Sequence, residues 1–362
     1  MATPNPMEHT HGGSPPAAIS KKVYTIAGIL TAVYGLAELS SQVNEVACLW
    51  LLHPRLQTQE CMEPVAASII HSWNARLQEG RGGRSPKGLI AVSFDQRNHG
   101  SREVNKLANE AWRAGNPTHA QDMFSIYREF NGTAMDTSYL LNYLSSYAFP
   151  TASHTISTNI VLGISLGGHA AWHCVLHDAR ISTAVIVIGC PDYTRLMTDR
   201  AKKSKLQTWV STERPGAQFL GSVDFPKGLI ETIERYDPAG LLMGELDVVT
   251  GDDHLHEPSD EEKTRLRPLM REHLGGKRIL CLSGGADKLV PYQCGEPFLG
   301  FLKRAIGEGG WFSDRETVLE DIVDIQAGHE FSPKMKEEAI RFIGETLLGK
   351  GGMHAGTRSS KI

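Results

Sequence analysis

The chain has 362 residues, of which 41% are hydrophobic and 22% charged, with a formal net charge of -4. A chain of this length can bury a sizeable core, as one large domain with an insertion or as two small ones. Its slight acidity and the lack of any Lys/Arg block exclude phosphate-backbone recognition, so no nucleic-acid partner is expected.

Residues 1–20 are rich in Pro, Gly and Ser, lack the apolar centre of a signal peptide, and are expected to be a disordered lead-in. The apolar run Ile26 to Ala37 is broken by Gly28 and Gly35 and falls well short of the roughly 20 residues a membrane helix needs. Six scattered cysteines with no Cys-x-x-Cys pair read as buried thiols of a reducing compartment. The chain therefore reads as unsecreted, and the Asn131-Gly132-Thr133 sequon as coincidental.

From there, β-branched apolar runs alternate with helical stretches. Strands are expected at Val46 to His53, Gly88 to Asp95, Asn159 to Gly163, Thr183 to Cys190 and Arg278 to Gly284, with a weaker one near Val318. Amphipathic segments such as Glu60 to Leu77 and Asp136 to Tyr147 lie between them. Near-continuous apolar strands separated by helices imply an α/β fold with a mainly parallel sheet and helices on both faces. About 85 residues separate Cys190 from Arg278, more than a crossover needs. A helical cap insertion is expected over residues 193–275, within a main domain spanning 21–348. The glycine-rich tail, 349–362, is expected to be flexible.

The chemistry starts at "NIVLGISLGGHAAW", where a strand stops at Ser165 between Gly163 and Gly167. The glycines allow a strained strand-to-helix corner that lifts the hydroxyl to a helix N-terminus. A serine needs a general base and a third group to orient that base. Asp287, in "GGADKLVP", and His329, in "DIQAGHEFS", follow in the order Ser, Asp, His, and Gly328 is expected to permit the tight approach of the His loop. All three fall at strand C-terminal ends, the edge where open α/β sheets bind ligands. Asp192, in "GCPDY", is the rival acid. The oxyanion donors expected are the N–H of Leu166 and one from the loop after His53; Pro54 has none, so Arg55 is the candidate, with Leu56 next.

"GISLGG", "FDQRNHG", "LLHP", "GGADKLVP" and "AGHEF" together resemble the α/β-hydrolase superfamily over about Lys21 to Leu348. "ACLWLLHPRLQT" and "SFDQRNHGSR" further resemble fungal hydrolases of the AK-toxin type, encoded in host-selective toxin clusters. The usual His-Gly of the oxyanion loop is here His53-Pro54. The resemblance implies a serine hydrolase acting on a small-molecule ester or thioester, with acyl-CoA as one form, in specialised metabolism and without metal or organic cofactor. Epoxide hydrolysis and dehalogenation are disfavoured, since on this fold both use a carboxylate at the elbow. A catalytically silent ligand-binding protein of the same fold, or an acyltransferase with the same triad, are the alternatives.

The remaining polar clusters read as structure. Asp95, Arg97 and His99 in "DQRNHG" are expected to pin the loop beside the elbow. His169, His173 and His177 share a helix face without a carboxylate at ligand spacing, and His254 and His256 sit in an acidic loop, so no metal is expected. Ser360-Lys361-Ile362 resembles a Ser-Lys-Leu peroxisomal address, so a peroxisomal import receptor is the expected partner, with the cytoplasm as the alternative location.

Overall fold

The computed structural model describes residues 5–10, 16–127, 132–210, 214–243, 257–313, 317–349 and 356–362. Its strands are β1 (Lys21–Ile26), β2 (Ile29–Tyr34), β3 (Glu45–Leu52), β4 (Gly88–Phe94), β5 (Thr155–Ile164), β6 (Ile181–Val187), β7 (Arg278–Gly284), β8 (Val318–Asp324) and β9 (Gly356–Lys361). They form one sheet in the order β1-β2-β4-β3-β5-β6-β7-β8-β9. β2 runs antiparallel to both β1 and β4, and all other neighbours are parallel.

The central strands explain the architecture through their alternation. In β3, Val46, Cys48, Trp50 and Leu52 enter one core cluster while Ala47, Leu49 and Leu51 enter another. Successive side chains point to opposite faces, so a strand apolar at every position must be covered on both. Helices α1 (Glu63–Gln78) and, near the C-terminus, Pro333–Leu347 cover one face with Ile69, Ile70, Trp73, Phe342 and Ile343. The other face carries, in chain order, α2 (His119–Tyr127), α3 (Thr133–Ala148) and α4 (Leu166–His177). Residues Leu166 to Leu176 are buried throughout, because α4 is wedged between the sheet and other helices. Each fully buried Leu, Val or Ile of these layers contributes about 1.5–3 kcal/mol.

The expected insertion contains α5 (Tyr193–Ser204), α6 (Gln207–Val210), α7 (Lys227–Tyr236), α8 (Pro238–Met243) and α9 (Asp260–Leu274). Residues 211–213 and 244–256, which include His254 and His256, lie outside the described residues, as does Asn131 of the sequon. α9 packs on α4, as a crossover helix leading to β7 does. Two more helices, α10 (Tyr292–Ile306) and α11 (the Pro333–Leu347 helix), follow β7 and β8.

Two expectations about the chain ends are corrected, and the early apolar run gains a structure. The run from Ile26 contains the end of a hairpin: Ala27 and Gly28, at φ 51° and 80°, make the two-residue turn between β1 and β2. The N-terminal segment is not wholly a disordered lead-in. Pro6 accepts a hydrogen bond from the Phe331 N–H at 2.8 Å, and Met7 and Ile19 join the second core cluster. The tail is not free either, because residues 356–361 form β9 against β8, and Ile362 exchanges backbone bonds with Val323 (2.9 Å) and Ile325 (3.1 Å). Arg358 fixes this polar edge strand through Glu320 at 3.3 Å. Among the described residues no disulfide links the six cysteines, five of which are buried, and no helix is long and apolar enough to cross a membrane.

Candidate active site

β5 ends at Ile164 and α4 begins at Leu166, leaving Ser165 alone on the corner at φ 55°, ψ -112°. That conformation is strained for a residue with a Cβ and persists only where its surroundings enforce it. Here they do. The Ser165 N–H donates to Val187 O of the adjacent β6 at 2.9 Å, and the His169 N–H donates back to Ser165 O at 3.0 Å. The flanking glycines are required by contact. A Cβ on Gly163 would overlap the Gly167 carbonyl, one on Gly167 would overlap the Leu52 carbonyl, and one on Gly168 would sit 2.7 Å from Val187 O.

The Asp and His loops leave the ends of β7 and β8 and are joined backbone to backbone. Gly285 N–H donates to Asp324 O at 2.7 Å and Ala286 N–H to Ala327 O at 2.9 Å. The glycines that this approach requires are Gly284 and Gly285, where a Cβ would collide with the Gly328 carbonyl and lie 2.8 Å from Ile325 Cα, respectively. At Gly328 itself an added Cβ meets nothing, so the expectation about that residue is corrected.

These loops bring the expected trio together. Ser165 Oγ lies 2.9 Å from His329 Nε2, and His329 Nδ1 lies 2.8 Å from Asp287 Oδ2. The other carboxylate oxygen, Asp287 Oδ1, accepts the N–H groups of Leu289 (2.8 Å) and Val290 (3.0 Å). An anchored carboxylate makes Nδ1 the protonated nitrogen, which leaves Nε2 to accept from the serine hydroxyl. The rival Asp192 is engaged elsewhere. It caps α5 by accepting from the Arg195 N–H at 2.9 Å and pairs with the Arg195 guanidinium at 3.2 Å, while burial pushes its carboxyl up to about 6.

The loop after β3 is held by a buried histidine. Gln96 N–H donates to His53 Nε2 at 2.9 Å, so Nδ1 carries the proton and donates to Pro54 O at 2.8 Å. Burial first, then the neighbouring His99 ring, lowers His53 to about 4 and keeps it neutral. Beside it, "DQRNHG" forms the expected network. Asp95 accepts from Gln59 N (2.8 Å) and from Ser101 N and Oγ (2.8 and 2.7 Å), while Asp136 holds Arg97 and Arg102. On α4, His169 turns to the Cys190 backbone, His173 packs edge-on to Phe124, and His177 bonds Tyr236 O. Among the described residues no group of three or more ligating side chains is placed to hold a metal ion.

Ser165 and His329 open into a cavity of about 150 Å³, which Pro54 and Arg55 also line. Its roof is composite. α5 supplies Arg200 and Lys203, the excursion between β4 and α2 supplies Trp112, the start of α2 supplies His119, and the N-terminal segment supplies Pro6. None of Pro6, Trp112, His119 or Arg200 stood out in the sequence, because they come from irregular or amphipathic stretches with no motif to mark them.

The strand order, with β2 antiparallel, β3 to β8 parallel and the strained Ser165 corner between β5 and α4, decides the architecture. This is the α/β-hydrolase fold. TT1662 from Thermus thermophilus shares the fold of this chain, with a TM-score of 0.53 at 17% identity over 92% of this chain and 99% of its own. The 2,6-dihydroxy-pseudo-oxynicotine hydrolase matches at 0.47 and 14% identity over 95% of this chain and 72% of its own. A cold-adapted esterase from an Arctic intertidal metagenomic library matches at 0.45 and 13%, over 90% and 93%. No protein-family model and no curated protein sequence matches the chain. On an α/β-hydrolase fold the corner after β5 faces the ligand edge of the sheet, which is where the cavity lies.

Proposed function

We propose that the protein is a serine hydrolase that cleaves an ester or thioester of a small acyl compound. The observation that carries this reading is the unbroken chain from Ser165 Oγ through His329 to an anchored Asp287, at 2.9 and 2.8 Å. Ser165 Oγ attacks the acyl carbon as its proton passes to His329 Nε2, and Asp287 stabilises the imidazolium that forms. The carbonyl oxygen becomes an oxyanion. The Leu166 N–H, at the first turn of α4 where no helical carbonyl is available to it, and a second donor at Arg55 in the loop after His53 would hold that oxyanion. Collapse expels the alcohol or thiol, which takes the proton from His329. Water then enters by the same route and releases the acid.

The resemblance to AK-toxin-type hydrolases extends this proposal to acyl compounds of specialised metabolism, acyl-CoA thioesters included, and to the peroxisome as location. The Ser360-Lys361-Ile362 address would have to leave the sheet edge before an import receptor could read it. The test of the hydrolase reading is steady-state turnover of short para-nitrophenyl esters and acyl thioesters, with and without an added alcohol acceptor. Wild-type protein is expected to turn over at least one class, and Ser165→Ala is expected to lower kcat by about 10⁴-fold or more. Undiminished turnover by Ser165→Ala would contradict the reading, and a product that depends on the acceptor would make the enzyme an acyltransferase.

A further inference from the structure

Arg55, Arg113, Arg200, Lys203 and Lys288 line the cavity that holds Ser165, and among the described residues no Asp or Glu lines it. Lys203 is balanced locally by Asp199 at 2.6 Å. Arg200 is not. Its Nη2 donates to Leu289 O at 3.2 Å and its Nη1 faces His119 Nε2 at 3.4 Å, both uncharged partners. Burial, then the Arg200 and Arg55 charges, lower His119 to about 3 and keep it neutral, against the opposing hydrogen bond from its Nδ1 to Glu110 O at 2.8 Å. Arg55 Nη1 donates to the Asn109 carbonyl. Burial and the charge of Arg200 push the Arg55 guanidinium down to about 10, with Glu110 opposing.

Five cationic side chains and, among the described residues, no carboxylate give the cavity a positive lining, which favours an anion over a neutral group. We propose, on the serine-hydrolase reading above, that the substrate carries an anionic group, carboxylate or phosphate, which Arg200 and Arg55 bind beside the scissile carbonyl. Guanidiniums recognise either group through charge-assisted, often bidentate, hydrogen bonds.

Arg200 also ties α5 to the loop of Asp287, since Leu289 donates its N–H to that carboxylate. The test must therefore read charge preference rather than activity alone. Ser165→Ala protein, which leaves esters intact, would be titrated calorimetrically with monoethyl succinate against ethyl methyl succinate. A second pair is acetyl-CoA against the acetyl thioester of N-acetylcysteamine. At least one charged member is expected to bind roughly tenfold or more tightly than its neutral counterpart. Adding Arg200→Gln should abolish that preference and Arg200→Lys should retain part of it, an outcome that a purely structural role would not produce. A preference in the succinate pair assigns a carboxylate, and one in the thioester pair assigns the phosphates. Equal binding within both pairs, or a preference that survives Arg200→Gln, would overturn the proposal. Binding to Ser165→Ala requires no turnover, so this outcome is independent of whether the wild-type serine is reactive.

Discussion

Asp287→Asn is expected to lower kcat by about four orders of magnitude while leaving the fold intact. The reason lies in the two backbone N–H groups of Leu289 and Val290 that hold Oδ1 of Asp287. In the variant they retain the amide oxygen, which turns the amide NH₂ toward His329 Nδ1. A ring nitrogen facing a donor must be the unprotonated one, so the proton moves to Nε2, where it meets Ser165 Oγ. The serine then has no base. Asp192→Asn provides the contrast: it should weaken the cap of α5 by about 1 kcal/mol or less and leave kcat within a few-fold. Steady-state kinetics of both variants, with circular dichroism to verify folding, check the pair. Near-normal turnover by Asp287→Asn would remove Asp287 from the triad.

The second expected result is steep acid destabilisation beginning just below neutrality. His53, His119 and His169 are buried and lowered to about 4, 3 and 3, chiefly by burial. Unfolded, each titrates near 6.5, about the ordinary value. Between about pH 6.5 and pH 4 the unfolded chain therefore binds protons that the folded chain refuses, and stability falls as pH falls. Asp192 acts in the opposite direction, because its carboxyl is raised to about 6 and the folded chain takes up that proton before the unfolded one does. Among these four groups a net difference of about two protons remains, worth about 1.4 kcal/mol per pH unit for each proton; His99, lowered chiefly by burial, adds to it, and Asp136, raised chiefly by burial, opposes it. Urea denaturation at constant ionic strength should thus show stability dropping by several kcal/mol between pH 6.5 and 5. A flat profile over that range would mean that the three imidazoles are protonated in the folded protein.

The Ser165–His329–Asp287 arrangement was legible because each member sits in a context that physical chemistry makes distinctive. A serine between Gly163 and Gly167 after an apolar strand has few other uses, and Asp287 and His329 each follow a strand end. β3 to β7 were visible through continuous apolar runs, which only a doubly covered sheet needs. The β1–β2 hairpin was not, because Gly28 and Gly35 read as breakers of one apolar run although Gly28 makes the tight turn inside it. β9 escaped because an edge strand has no buried face to impose alternation; it is held by backbone pairing with β8, with the ion pair of Arg358 and Glu320 beside it. The cavity wall was the least legible part. Pro6, Trp112, His119 and Arg200 meet only through the tertiary arrangement of three separate excursions, and no local spacing records that meeting.

The most direct measurement is reaction of the purified protein with a fluorophosphonate probe, locating the labelled residue by peptide mass spectrometry. An activated serine requires labelling at Ser165 that vanishes in Ser165→Ala and weakens in His329→Ala. Absence of labelling in a folded, monodisperse preparation, or labelling at another residue, would contradict the assignment of Ser165 as a nucleophile.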